Sequence, residues 1–274
     1  MNAIPMKENS DNRLTALITG ASSGLGESIA KNLAGRGTDL ILVSENPAEL
    51  KRVKKDIEAR YPCSITILEM DLFKHDSADS IFDFCDNENL AVDILVNCAG
   101  IFLNIEREMQ SIGCIENVIN LHVLSLTKLC FLFGRSMIER NLGYILNISS
   151  IAAEFPDPAS LTYGPTKRYI LSFSEALHCE WKHHNIRVTC LTPGGLRTNF
   201  FSANNVFLPP IIRFTLLSPD TCAEIGLNAM FSGKARVTPG ITSKLQSFFL
   251  RIISRPATYA IIKRSYFSMK NRSN

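Results

Sequence analysis

The stretch TGASSGLG at residues 19–26 decides how this chain folds. The apolar run LTALIT (14–19) leads into it, and after it Leu25, Ile29, Ala30 and Leu33 recur at i, i+4, i+5 and i+8 between Ser22 and Gly35. The first reads as a strand, the second as a helix with one apolar face. A strand that turns through glycines directly into a helix leaves the helix's first N–H groups free, and their partial positive charge suits a phosphate. Gly20 permits the sharp turn, Gly24 lets a pyrophosphate approach the backbone, and Gly26 lets helix and sheet pack closely. Glycine-rich turns also occur without ligands, but the strand before and the helix after favour a dinucleotide.

Outward from this loop the same alternation continues. Six more runs have strand character: DLILVS (39–44), SITILEM (64–70), VDILVN (92–97), GYILNIS (143–149), IRVTCL (186–191) and ARVTP (235–239). Stretches of helical length lie between them, with residues 108–139 long enough for one helix or two. Ser218-Pro219-Asp220 reads as a helix start, a capping serine followed by proline where its missing N–H costs nothing, and Gly233 as that helix's end. Repeated strand–helix units imply a doubly wound parallel sheet of about seven strands with helices on both faces. The expected organisation is a polar N-terminal tail (1–12), one dinucleotide-binding catalytic domain (13–239) and a C-terminal helical extension (240–274).

Composition narrows the function. Apolar residues make up 46% of the 274, enough for a sizeable core, and the net charge of +3 is too small to imply nucleic acid. Eight cysteines are scattered without a C-x-x-C pair, which reads as reduced core thiols of a cytoplasmic protein. The doublet His183-His184 has no carboxylate or thiol at ligand spacing, so no metal is expected. The polar start MNAIPMKENSDNR lacks the apolar segment of a secretory signal. No 18 apolar residues run uninterrupted; Lys128 breaks even LHVLSLTKLCFLF, and no ordinary spanning helix is expected.

The loop spacing G-x-x-x-G-x-G is not the commoner G-x-G-x-x-G, and here the chain resembles the short-chain dehydrogenase/reductase family, whose signature is T-G-x-x-x-G-x-G. The resemblance runs in order through Asp71-Leu72 after the third strand, NCAG (97–100) after the fourth, NISS (147–150), YGPTK (163–167) and PGGLRT (193–198) after the sixth. Asn120 is matched to the family's catalytic asparagine. The resemblance implies an NAD(P)-dependent oxidoreductase, with cofactor contacts from Gly20, Ser22, Ser23, Gly24, Leu25, Gly26, Glu45, Asp71, Leu72, Asn97, Ala99, Gly100, Tyr163, Lys167, Pro193, Gly194, Leu196 and Thr198. It implies a catalytic set of Asn120, Ser150, Tyr163 and Lys167. In it Lys167 also bonds the nicotinamide ribose, Asn120 holds a water leading to Lys167, and a serine steadies the substrate oxygen. The family's serine stands thirteen positions before its tyrosine, which selects Ser150 over Ser149; on strand alternation the two face opposite sides. Taken singly, Asn120, Ser150 and Tyr163 would each be an ordinary polar or packing residue. Together at family spacing they are not.

The chemistry asks for a hydride on one side of a carbonyl and a proton on its oxygen. A free tyrosine titrates near pH 10, and bringing it to about 7 takes roughly 4 kcal/mol. One cation about 4 Å away at an effective dielectric near 20 supplies roughly that amount. Lys167, four residues on, shares a helix face with Tyr163, so the pair is expected to act as general acid/base and its cation. Gly164 and Pro165 depart from the small residues usual between them. Proline is tolerated in a helix's first turn, so the helix is expected to start at about Tyr163.

The cofactor's second half is read from VSEN (43–46). Glu45 stands where NADP-preferring relatives usually carry arginine, and Ser23 where others carry a basic residue. Glu45 lies near the distance past the glycines at which an acid takes the ribose 2′-hydroxyl, and NAD is favoured over NADP. Lys51 or Arg52 could also reach this place. NFFSANNVFLPPIIRFTLL (199–217), where the family places a variable lid, is apolar and suits a hydrophobic substrate such as a steroid, fatty acyl chain or aromatic ketone. From Lys234 onward there are nine Lys or Arg and no acid, and Leu245, Phe248, Phe249, Ile252 and Ile253 recur at helical spacing. This extension suits packing on its own domain, a subunit contact in a homo-oligomer (dimer or tetramer), a lid, or the surface of a membrane. Against the oxidoreductase stands a non-catalytic dinucleotide sensor on the same fold.

Overall fold

The structure, a computed structural model, describes residues 13–198, 216–253 and 256–260. Most of the lid stretch and the two ends of the chain lie outside these residues. Seven parallel strands, β1 (Thr15–Thr19), β2 (Asp39–Ser44), β3 (Ile65–Glu69), β4 (Ile94–Asn97), β5 (Gly143–Ile148), β6 (Ile186–Leu191) and β7 (Arg236–Val237), form one sheet in the order β3-β2-β1-β4-β5-β6-β7. The order reverses between β1 and β4, where doubly wound sheets open a crevice at the strands' carboxyl ends.

Strand alternation divides the core in two. Ala16, Ile18, Leu40, Leu42, Ile94, Val96, Tyr144 and Leu146 face one side, where they meet α1 (Gly24–Ala34), α2 (Pro47–Glu58) and α8 (Pro219–Phe231). Leu17, Ile41, Val43, Leu95 and Ile145 face the other, against α3 (Ser77–Asn87), α6 (Leu126–Arg140) and α7 (Tyr163–Trp181). Near-continuous apolar strands are what a sheet covered on both faces requires. α8 begins as its sequence indicates: Ser218 Oγ accepts from the Thr221 N–H (3.1 Å), Pro219 is the first helical residue, and Gly233 follows at φ +66°.

Between β4 and β5 come α4 (Ile105–Glu108), α5 (Ile112–Ile119) and α6, with a π-helical turn, Asn120–Ser125, joining the last two into Ile112–Arg140. By length and apolar composition this helix could cross a membrane, yet half of its most apolar stretch is buried inside the protein. Leu121, Leu129, Cys130, Phe133 and Met137 pack into the core, and Lys128 reaches out to Asp79. It is the central helix of one layer. Near the C-terminus, α9 (Ile241–Ile252) turns its buried Ser247 towards Glu154 and Arg236 and leaves Ile241, Leu245, Phe248, Phe249 and Ile252 exposed.

Candidate active site

Gly20 adopts φ +67°, and a Cβ there would lie 2.8 Å from the Ala99 Cα, so the glycine loop rests directly on the NCAG turn after β4. A Cβ at Gly26 would lie 2.1 Å from the Gly20 carbonyl oxygen; the first turn of α1 is that close to the strand end. Thr19 ties the two turns together, its Oγ1 accepting from the N–H groups of Cys98 (3.1 Å) and Ala99 (3.2 Å). Ser23, the N-cap of α1, makes no side-chain cap bond, so its hydroxyl does not compete with an anion for the helix's first N–H groups. These residues fit a dinucleotide's pyrophosphate.

Across the crevice, α7 begins at Tyr163 with Pro165 in its first turn, where an N–H is not needed. Lys167 therefore lies one turn along on the same face. Its Nζ is 5.6 Å from the Tyr163 ring centroid and donates to the Ile148 carbonyl (3.1 Å), and the side chain is buried. The two serines part as alternation requires. Ser149 Oγ donates to the Lys167 carbonyl (2.6 Å), whereas Ser150 hydrogen-bonds the Tyr163 side chain and accepts from the Ala152 N–H (3.1 Å).

The electrostatics differ from the sequence expectation. Burial pushes the Tyr163 phenol up to about 12, against a smaller lowering from Ser150, and burial pulls the Lys167 ammonium down to about 8. Two buried groups each lose hydration of their charged form, and that loss is the largest influence on both. At neutral pH the phenol holds its proton, the state required of an acid.

Two residues that no motif marks complete the centre. Glu108 is buried and its carboxylate gathers the loop ahead of α7, accepting from Ser160 Oγ (3.1 Å), the Leu161 N–H (2.8 Å), the Thr162 N–H (2.9 Å) and Thr162 Oγ1. Burial would raise its pKa, but these hydrogen bonds hold it below the usual carboxylate value. His122, from the π-helical turn, is buried beside Tyr163 and Lys167. Asn120 has its amide turned to the Phe73 carbonyl (3.3 Å), beside the Asp71 carboxylate that accepts from the Phe73 N–H (2.9 Å). An α-helical periodicity carried through residues 120–125 misses the extra residue of the π turn and so misses which side chain faces the centre.

The family model described as short chain dehydrogenase matches residues 14–206. The chain belongs to the short-chain dehydrogenase family. It is 33% identical over 184 residues to the very-long-chain 3-oxoacyl-CoA reductase of Rattus norvegicus, covering 65% of this chain and 58% of that enzyme's length. Over 224 residues it is 30% identical to human 17-beta-hydroxysteroid dehydrogenase type 3, covering 76% and 70% of the two chains. A short-chain dehydrogenase from Sphingobium yanoikuyae in complex with NADPH has the same fold, with a TM-score of 0.76 and 24% identity over 88% of this chain and 96% of that one.

This member of the short-chain dehydrogenase family deploys the remaining motif residues unevenly. Asn97 is buried, its amide donating to Asn147 Oδ1 (2.8 Å), and Asn147 donates in turn to Ser174 Oγ (2.9 Å); its side chain serves the core, not the crevice. Pro193 accepts from the Ile151 N–H (2.9 Å). Leu196, ahead of the lid stretch, bridges Leu217 at its far end, and the Thr198 side chain lies against Gly24. Glu45 is exposed just past β2, where Ser44 Oγ donates to Ser22 Oγ (2.9 Å). Arg52 does reach the glycine loop, donating to the Ser22 carbonyl (3.3 Å), but Glu27 and Glu49 both pair with it at 2.7 Å.

Proposed function

We propose that this chain interconverts a secondary alcohol and a ketone on a hydrophobic substrate with NAD(P)(H). The supporting observation is the Tyr163 phenol, Ser150 hydroxyl and Lys167 ammonium gathered at the carboxyl end of the sheet, across the crevice from the uncapped α1 N-terminus. A bound reduced nicotinamide supplies the hydride. Tyr163 gives its proton to the carbonyl oxygen, Ser150 hydrogen-bonds that oxygen, and the Lys167 charge steadies the phenolate that remains. In the oxidative direction the phenolate takes the proton back. Asp71 and Leu72 would border the adenine, and Lys167 would hold the ribose; Asn120, its amide turned to the Phe73 carbonyl, is given no part in the proton route.

An apolar substrate is favoured by what surrounds Tyr163. Phe102 packs edge-on against it at 5.2 Å, and Met109, Ile112 and Leu161 are exposed on the segments that Glu108 ties together. Those relatives' names, an acyl-CoA reductase and a steroid dehydrogenase, point the same way. NAD is favoured over NADP because Glu45 is exposed just past β2, where it would repel a 2′-phosphate, while two carboxylates already offset the charge of Arg52. Fluorescence titration should give tighter binding of NADH than of NADPH, and Tyr163→Phe should bind the preferred one equally well yet lose at least about 1,000-fold in ketone turnover. Binding without turnover in the unaltered protein would leave the sensor reading standing. No binding of either nucleotide would sink both.

A second reading concerns α9, whose serines face the protein and whose apolar stripe faces outward. We propose peripheral contact with an anionic membrane surface, because the chain from Lys234 on is basic throughout. A twofold pairing of two such helices would set like charges against each other.

A further inference from the structure

His122 has both ring nitrogens engaged. Nε2 accepts from the Ile101 N–H (3.1 Å), so that nitrogen is unprotonated and the hydrogen sits on Nδ1. Nδ1–H donates to Thr166 Oγ1 (3.0 Å), and Thr166 Oγ1 donates in turn to the Tyr163 carbonyl (3.0 Å). The chain of bonds has one direction, from the turn after β4 into the first turn of α7, with each donor matched to one acceptor.

The ring also touches the reacting pair. A Cβ at Gly100 would lie 3.1 Å from His122 Nε2 and 3.3 Å from Lys167 Nζ, so imidazole and ammonium flank one α-carbon. The His122 ring stands edge-on to Tyr163 at 5.9 Å. Burial first, and the Lys167 charge second, hold the imidazole well below its ordinary pKa. A protonated ring would give up the Ile101 bond and set a second buried cation beside Lys167. The ring therefore stays neutral while Lys167 carries the charge.

We propose that His122 is the positioning residue of this centre: a neutral imidazole, locked as the Nδ1–H tautomer, that ties the Gly100–Ile101 turn to α7 and thereby sets Lys167 and Tyr163 in register with the substrate oxygen. The role rests on the oxidoreductase reading above. It differs from plain core packing because one ring bond ends on the Ile101 backbone next to Gly100 and the other runs through the Thr166 hydroxyl to the Tyr163 carbonyl.

Four variants test it. His122→Phe keeps the volume and removes both bonds; His122→Gln returns an acceptor for Ile101, His122→Asn returns a partner for Thr166, and Thr166→Val removes only the second link. His122→Phe should lower kcat at least about tenfold at saturating cofactor, with KM changed less than about threefold, and should displace the pH profile of kcat. Gln and Asn should each restore part of kcat, and Thr166→Val should fall between. If kcat and the pH profile of His122→Phe match the unaltered protein within about twofold, the proposal is overturned, whatever the melting temperature does. Should His122→Phe fail to fold, His122→Gln and Thr166→Val decide by the same criterion. A long-range 1H–15N spectrum, with the His122 ring assigned by its loss in His122→Gln, gives a readout without turnover. It should show a neutral Nδ1–H ring from about pH 5.5 to 9, and an Nε2–H tautomer or titration near the ordinary value of about 6.5 would overturn the proposal. If the unaltered protein turns over no ketone, that failure belongs to the oxidoreductase reading, and the spectrum alone decides the tautomer.

Discussion

Lys167 is costly to the fold at neutral pH. Its ammonium titrates at about 8 in the folded chain against 10.5 when free. Between those values the unfolded chain holds more protons, so stability rises with pH across that window and is lowered in full below it. The difference corresponds to about 3 kcal/mol at pH 7. Lys167→Met should therefore abolish turnover and still raise stability at pH 7 by about 2 kcal/mol, once about 1 kcal/mol is deducted for the lost bond to Ile148. Denaturant melts at several pH values would check this: the advantage should shrink from about pH 8 to 10.5, and a variant less stable at pH 7 would contradict it. Tyr163, Lys167 and Ser150 are singled out in the sequence by their resemblance to the family's motif spacing. Their titration is not legible there, because desolvation depends on what the folded chain packs around them.

At the scale of elements, the start of α7 is held by a group from a different part of the chain. Glu108 ends α4, and its carboxylate organises residues 160–162, immediately before Tyr163. Glu108→Ala would leave several buried donors unpaired and should cost about 3 kcal/mol, lowering the melting temperature by roughly 6–12 °C. The folded carboxyl titrates below its ordinary value, so its contribution is complete above about pH 4.5 and is lost as pH falls through the folded pKa. The stability gap between the unaltered protein and the variant should close on acidification; a gap constant down to pH 3 would contradict the assignment. Neither Glu108 nor His122 belongs to a short motif. Glu108 acts about fifty residues along the chain, and His122 reaches the centre only because a π turn interrupts the helix there.

At the scale of the whole molecule, the doubly wound sheet buries both faces while α9 remains apolar on its outward side. The protein should sediment with anionic liposomes in low salt and be released by high salt, as screening of surface charge requires. Phe248→Ser with Phe249→Ser should weaken that binding at least about tenfold without changing the melting temperature by more than about 2 °C, since both side chains are exposed. No binding to liposomes, or a dimer that the same double variant dissociates, would overturn the membrane assignment.

By itself the sequence determined the seven-stranded parallel sheet, the glycine loop, the helix start at Tyr163 and the family, because these rest on local periodicity and on residues close together in the chain. Tertiary structure alone decided that burial dominates the titration of Tyr163 and Lys167, that His122 stands beside Lys167 while Asn120 turns to Phe73, and that α9 faces its apolar stripe outward. Each of these depends on which distant segments close around a group and on how much water they exclude from it.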